Sequence, residues 1–446
     1  MTFIARRCCS PAVLALAAFG LLAACQQSTV QKEEPPSQPA TQPQPVAPPQ
    51  PVVLPEPVGP PPIPPSPNVG LLVPLSGPHA RVGEALLNAA QMAMFDIAGD
   101  EMVLIVRDTG GTPEGAKAAL DSAFEAGASL ILGPLFATSA RAIAEDALAR
   151  QVNLITFSND VTVAQPGVFV MGVPPRTQVE RVVSFASSQG YQRIAVMAPE
   201  SAYGNAVVEA LQDAVYVNGA ELARVAFFDP SAPDSSAEAR QLADYDSRRR
   251  DLERRRKELE GLEDEASKLA LKRLETLDTL GSPPFDAVLL PMGGRNLMTI
   301  APLLAFYDVD PGEVRYLGTA LWDAPNLGAE PTLQGGWFAA PPPDQWNRFK
   351  ARYKALYNSD PPRIATLGYD ATALAAVLSR TAASVGQLPD FTVGAIAQNS
   401  GFAGTDGIFR FSADGFIERG LAVVQVERDG LVEIEPAPTT FENLTN

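Results

Sequence analysis

The chain has 446 residues, 46% of them hydrophobic, with 34 Lys and Arg against 51 Asp and Glu, 42 Pro, three Cys and one His. That much apolar material builds two or three domains and excludes a wholly disordered or collagen-like chain. A single His leaves little for metal sites or for Ser-His and Cys-His catalysis, and a net charge of −17 argues against nucleic acid as a partner, so neither a cofactor nor catalytic residues are expected.

Arg6 and Arg7 precede an apolar stretch from Pro11 to Ala24, too short to span a bilayer comfortably as a mature helix. It ends in Leu22-Ala23-Ala24-Cys25, which resembles a bacterial lipobox. The resemblance implies a signal peptide over residues 1–24, lipidation of Cys25 and anchoring to a membrane through the lipid. Gln26 stands where many inner-membrane lipoproteins carry Asp, so the expected address is the periplasmic side of a Gram-negative outer membrane. A plain secretory signal cleaved elsewhere is the bland alternative. Residues 25–68 then form a tether: Pro35 to Pro67 holds 16 Pro in 33 residues, a polyproline II composition. Fully extended at about 3.1 Å per residue, it reaches on the order of 100 Å.

From Val69 the pattern changes. Val69–Pro74, Met102–Arg107, Ser129–Leu132 and Val152–Phe157 read as buried strands, separated by helical runs over Gly83–Ile97, Pro113–Ala126 and Thr138–Ala149. A second series comprises Arg193–Met197, Tyr203–Val217, Leu222–Phe228, Ala287–Leu290 and Val314–Leu317. Strands alternating with helices predict an α/β fold of two doubly wound parallel-sheet lobes.

Gly70-Leu71-Leu72-Val73-Pro74-Leu75-Ser76-Gly77, Gly133-Pro134-Leu135 with Thr138-Ser139, Ile155-Thr156-Phe157-Ser158, Tyr203-Gly204 and Gly368-Tyr369-Asp370-Ala371 together resemble the type I periplasmic binding proteins, as does Gly401 to Gly407. The Leu/Ile/Val-binding proteins typify that family. The likeness implies two lobes joined by three crossing segments, expected near Val170–Pro175, Leu333–Ala340 and Pro389–Gly401. Lobe one is then 69–172 plus 333–395, and lobe two 173–332 plus 396–446. Ligand is expected between them, beyond the carboxyl ends of the strands. Ser76, Thr138, Ser139, Ser158 and Asn159 are candidates to bind a carboxylate there, or they only cap helices. Tyr203 either stacks on a ligand or packs at the surface.

Amino-acid binders hold the ligand's ammonium with a lobe-two acid. Here Gly318 is followed by Thr319-Ala320-Leu321, and Gly293-Gly294 by Arg295. A free α-amino acid would bind poorly, and Arg295 either receives a small anion or is a solvated helix-start residue.

Residues 236–280 hold 11 basic and 12 acidic residues, including Arg248, Arg249, Arg250, Arg254, Arg255 and Arg256. Leu252, Leu259, Leu262, Ala266 and Leu269 fall on one narrow helical face, so a long helix or a hairpin broken near Gly261 is expected within lobe two. It is either a solvated helix held by its own ion pairs or an arm that docks on an acidic partner surface or anionic glycan.

Lipobox, spacer, charged insertion and altered pocket together resemble the penicillin-binding protein activators. That resemblance implies a non-enzymatic outer-membrane lipoprotein that regulates peptidoglycan synthesis by contacting a bifunctional penicillin-binding protein. The alternative is a substrate-binding lipoprotein of an ABC importer for branched-chain amino acids or other small anions. An enzyme reading ranks third, since His79 follows Ser76-Gly77 without a G-x-S-x-G elbow.

Overall fold

A computed structural model describes residues 66–441. The lipidation position Cys25, the signal peptide and nearly all of the tether lie outside the described residues.

The first lobe opens with β1 (Asn68–Val73), β2 (Val103–Asp108), β3 (Ala128–Leu132), β4 (Asn153–Thr156) and β5 (Val168–Val170), all parallel in the order β2-β1-β3-β4-β5. The crossovers are α1 (Ala80–Ala93), α2 (Pro113–Glu125) and α3 (Ala137–Ala149). Local chemistry sets these ends: Thr112 accepts a hydrogen bond from the Gly115 N–H at 3.0 Å and Pro113 occupies the first turn of α2.

The second lobe runs through α4 (Pro175–Ser188), β6 (Arg193–Pro199), α5 (Ala202–Val217), β7 (Glu221–Phe228), α6 (Ser236–Leu242), α7 (Tyr245–Glu260), α8 (Glu265–Leu274), β8 (Ala287–Leu290), α9 (Gly294–Phe306), β9 (Arg315–Gly318) and β10 (Trp337–Ala340). The chain then returns to lobe one for α10 (Pro343–Tyr357), α11 (Ala365–Ser384), α12 (Val393–Ile396) and a small antiparallel sheet of β11 (Phe402–Gly404), β12 (Gly407–Phe411) and β13 (Ile417–Arg419). Finally β14 (Ala422–Glu427) and β15 (Gly430–Glu435) complete a seven-stranded lobe-two sheet in the order β15-β14-β10-β9-β8-β6-β7. The fold class is the expected one, two doubly wound parallel-sheet lobes, with two antiparallel strands added to the second.

Two lobe boundaries differ from those expected. Residues 333–340 do not cross: β10 is buried inside the lobe-two sheet, parallel to β9 and antiparallel to β14, because Trp337-Phe338-Ala339-Ala340 is an unbroken apolar run. Residues 396–419 do not belong to lobe two. Ile396, Phe402, Phe409, Phe411 and Ile417 bury in the lobe-one core beside Phe157 and Phe169. The passages between lobes are therefore at 171–174, 341–342 and 420–421.

The charged insertion is shorter than 236–280. Ala239 and Leu242 of α6 pack in the lobe-two core with Leu297 and Leu304 of α9, so α6 is an ordinary crossover helix. The hairpin proper is α7 and α8, turning at Gly261. Only Leu252 and Leu259 of the expected apolar face are buried, while Leu262 and Leu269 remain about half exposed.

Candidate functional site

A cavity of about 560 Å³ opens between the lobes. Lobe one supplies Leu135 and Phe136 from the turn after β3, Phe157 from the end of β4, and Ile364 and Leu367 at the start of α11. The first passage supplies Val173, and lobe two supplies Tyr203 with Ala320 and Leu321 from the single helical turn after β9. Both walls are mainly apolar. Leu321 is exposed on this wall, and Phe136 is edged by the only His of the chain, His79, with ring centroids 4.7 Å apart. A groove of about 690 Å³ along α3 is larger, but it is confined to lobe one and fringed by Arg141, Glu145 and Gln165. An apolar pocket between domains with few polar groups is the better ligand site.

The lobe-two wall is set by packing. A Cβ on Gly318 would lie 2.2 Å from the Trp322 ring, so only Gly lets the strand end tuck under that indole. Trp322 is fully buried and donates its Nε1–H to the Leu290 carbonyl at 3.0 Å. Tyr203 and Thr319 share a 3.1 Å hydrogen bond, and burial pushes the Tyr203 phenol above its ordinary range. Gln178 accepts from the Ala320 N–H at 2.8 Å.

Among the described residues, the only cation lining this cavity is Arg363, in the turn before α11. Its Nη1 reaches Asp406 at 2.6 Å, its Nε reaches Asp323 of lobe two at 3.2 Å, and its guanidinium carbon stands 4.6 Å from the centre of the Trp346 ring. Nη2 is buried without a hydrogen-bond partner among the described residues. Burial opposes the charge, yet Asp406 and Asp323 outweigh it and keep the guanidinium firmly protonated. Asp406 is held in turn by the Thr366 hydroxyl at 2.6 Å. Behind it, Asp370 and Arg419 are fully buried and 3.5 Å apart. Burial, and then the Asp406 charge, push the Asp370 carboxyl up to about 6 against the pull of Arg419.

The expected site residues divide. Ser158, Asn159 and Tyr203 line the cavity. Ser158 spends its hydroxyl on the Asp160 N–H at 3.0 Å. Ser76, Thr138, Ser139 and Arg295 are not among its lining residues. Ser76 sits in a loop whose amides are already used: Asp108 Oδ1 accepts from the N–H groups of Leu75 at 2.7 Å, Ser76 at 3.2 Å and Gly110 at 2.8 Å. Burial alone would raise the Asp108 carboxyl, but hydrogen bonding from the Ser76 side chain and from these three amides outweighs it and holds the group below its ordinary range. Thr138 is exposed, Ser139 lies on the buried face of α3, and Arg295 is exposed at the start of α9.

Of the six candidate docking arginines, two are spoken for by the fold. Arg248 is buried, pairs with Asp308 at 2.9 Å and donates to the Gly281 carbonyl at 2.7 Å, which pins α7 to the lobe. Arg256 ties α7 to α8 through the Leu274 carbonyl at 2.6 Å. Arg249, Arg250, Arg254 and Arg255 are exposed. Arg249, Arg254 and Arg255 pair with Glu253, Asp251 and Glu258 on their own helix. Arg363, Asp323 and Asp406 were missed from the sequence. The available signal was an isolated Arg after Pro361-Pro362, just ahead of the apolar helix bearing Gly368-Tyr369-Asp370-Ala371.

Two doubly wound lobes joined by three passages around a ligand-sized cleft are the architecture of a periplasmic binding protein. The chain belongs to the periplasmic binding protein family, whose model matches residues 66–430. It is similar in structure to a branched-chain amino acid ABC transporter periplasmic ligand-binding protein from Burkholderia xenovorans LB400, with a TM-score of 0.60, 14% identity, and 84% of this chain and 95% of that one covered. A second neighbour is a solute-binding protein of an ABC transporter from Rhodopseudomonas palustris BisB5, solved in complex with 3,4-dihydroxybenzoic acid. There the TM-score is 0.56 and the identity 17%, with 83% of this chain and 96% of that one covered. By sequence, an uncharacterized protein of Rickettsia prowazekii strain Madrid E is 25% identical over 161 residues, which are 36% of this chain and 43% of that protein. The match thus spans less than half of the relative's length.

Proposed function

We propose that this chain is the substrate-binding component of an ABC importer for a small organic anion, held at the periplasmic face of the outer membrane by a lipid on Cys25. The observation that carries the reading is the interlobe cavity, apolar on both walls and lined, among the described residues, by one guanidinium. Transporter binding proteins among the structural neighbours, one of them carrying an aromatic acid, support it. The protein recognises and carries; its cleft arrangement calls for no bond-breaking step. A thermal-shift screen of amino acids and small carboxylates tests it. A saturable hit is expected, worth about 2.7 kcal/mol at 100 times its dissociation constant. A screen in which no compound stabilises the fold removes the reading.

A second reading, a penicillin-binding protein activator, is favoured by one observation: the α7–α8 hairpin keeps Arg249, Arg250, Arg254 and Arg255 exposed, outside the cleft lining. On this reading the partner is a bifunctional peptidoglycan synthase reached across the periplasm by the Pro-rich tether. Pull-down and transpeptidase assays decide it, and neither binding nor stimulation would leave the hairpin as a surface feature.

A further inference from the structure

We infer that the cleft selects monocarboxylates with an apolar body and rejects the corresponding α-amino acids, with Arg363 receiving the carboxylate on the edge that Asp323 now half occupies. The inference deepens the importer reading and rests on it.

Three observations converge. First, the amide loop at Ser76, where an incoming carboxylate was expected, is already filled by the carboxylate of Asp108 through three backbone N–H groups. Second, Arg363 offers an unfinished fork. A carboxylate fits the Nε and Nη2 edge of a guanidinium with two parallel hydrogen bonds. Asp323 uses the Nε alone, at 3.2 Å, and Nη2 has no partner among the described residues. A buried donor without an acceptor is costly, so a bidentate anion gains twice on replacing the single contact. Asp323 is thus a tethered stand-in for the ligand's carboxylate, held on the opposite lobe.

Third, among the described residues the cleft lining offers no spare acceptor for an ammonium; Asp323, at its mouth, is engaged by Arg363 until a carboxylate displaces it. The acids in its lining are Asp160 and Asp406. Asp160 is paired with Arg141 at 2.7 Å and hydrogen-bonded by Thr162, and Asp406 is paired with Arg363 and Thr366. Thr319, Ala320 and Leu321 bring no charge to the lobe-two wall. An ammonium placed between Phe136, Phe157 and Leu321 would lose water and find no anion.

Calorimetric titration of the full-length protein with matched pairs tests this: 4-methyl-2-oxopentanoate against L-leucine, phenylpyruvate against L-phenylalanine, benzoate against benzamide. The acid is expected to bind at least about 30-fold more tightly than its partner wherever either binds. Arg363→Gln should lose about 30-fold for the acids while circular dichroism shows the fold retained. Because Arg363 also holds Asp406, Asp323→Asn serves as the second variant; it leaves that pair intact and should tighten acid binding several-fold. Amino acids binding as well as the acids, or Asp323→Asn leaving acid affinity unchanged or weaker, would overturn the inference while the importer reading stands. If the broad screen finds no ligand at all, the importer reading falls first and takes this inference with it.

Discussion

Arg363 of lobe one and Asp323 of lobe two meet at 3.2 Å across the mouth of the cleft, the guanidinium about 27% and the carboxylate about 20% exposed. The pair ties the two lobes to each other at the ligand site. Partial exposure keeps its net worth small, so Asp323→Ala is expected to cost about 1 kcal/mol in denaturant unfolding. A loss beyond about 3 kcal/mol would show that the contact holds the lobes together by itself.

Gly318 and Trp322 set the lobe-two wall. A methyl group at Gly318 would sit 2.2 Å from a ring that is fully buried. Gly318→Ala should therefore destabilise the protein by about 1–3 kcal/mol through overpacking, and displace Leu321 and the cavity wall with it. Chemical denaturation measures the first effect. An unchanged midpoint would mean that the indole has room to move.

The arginines of α7 should separate into structural and solvated ones. Arg248→Ala removes charge-assisted hydrogen bonds to Asp308 and to the Gly281 carbonyl and should cost about 2–3 kcal/mol. Arg254→Ala removes an exposed contact to Asp251 and should stay within about 0.5 kcal/mol. Equal effects in denaturant titrations would contradict the burial described for Arg248.

The buried Asp370 gives stability a pH signature. Its folded-state value of about 6 lies above the ordinary 3.8, so the native protein binds this proton more tightly than the unfolded chain does. The associated stability is present below about pH 4 and is lost as the pH rises through 6, with a slope of at most about 1.4 kcal/mol per pH unit. The depressed carboxyls of Asp96 and Asp108 act in the opposite sense, at lower pH. Asp370→Asn should flatten unfolding free energy against pH between 4 and 6. A slope unchanged from wild type would contradict this assignment.

How far the sequence was legible follows from what each residue's neighbours in the chain reveal. Most strands and helices between residues 69 and 228 were readable because short apolar runs and their Gly, Pro and Thr boundaries are local signals, as Thr112 and Pro113 illustrate at α2, whereas β5 and α4 carried no signal that set them apart from a crossing segment. The passages between lobes were not. Trp337–Ala340 reads equally well as a linker or a strand until β9 and β14 are known to flank it. The site shows the same division. Ser158, Asn159 and Tyr203 were found because they follow strand ends, whereas the pairing of Arg363 with Asp323 and Asp406 joins residues 40 and 43 positions apart in sequence, which no local pattern encodes. Ser76 departs from its expected place for a related reason: the acid that claims its amide, Asp108, comes from a neighbouring strand 32 residues away.

The most direct test of the account is a crystal structure of the protein saturated with the tightest compound from the screen. The account places that ligand between the lobes, its carboxylate on the Arg363 guanidinium and its hydrocarbon body against Phe136 and Leu321. A ligand bound elsewhere, or a cleft left unfilled at saturating concentration, would contradict it.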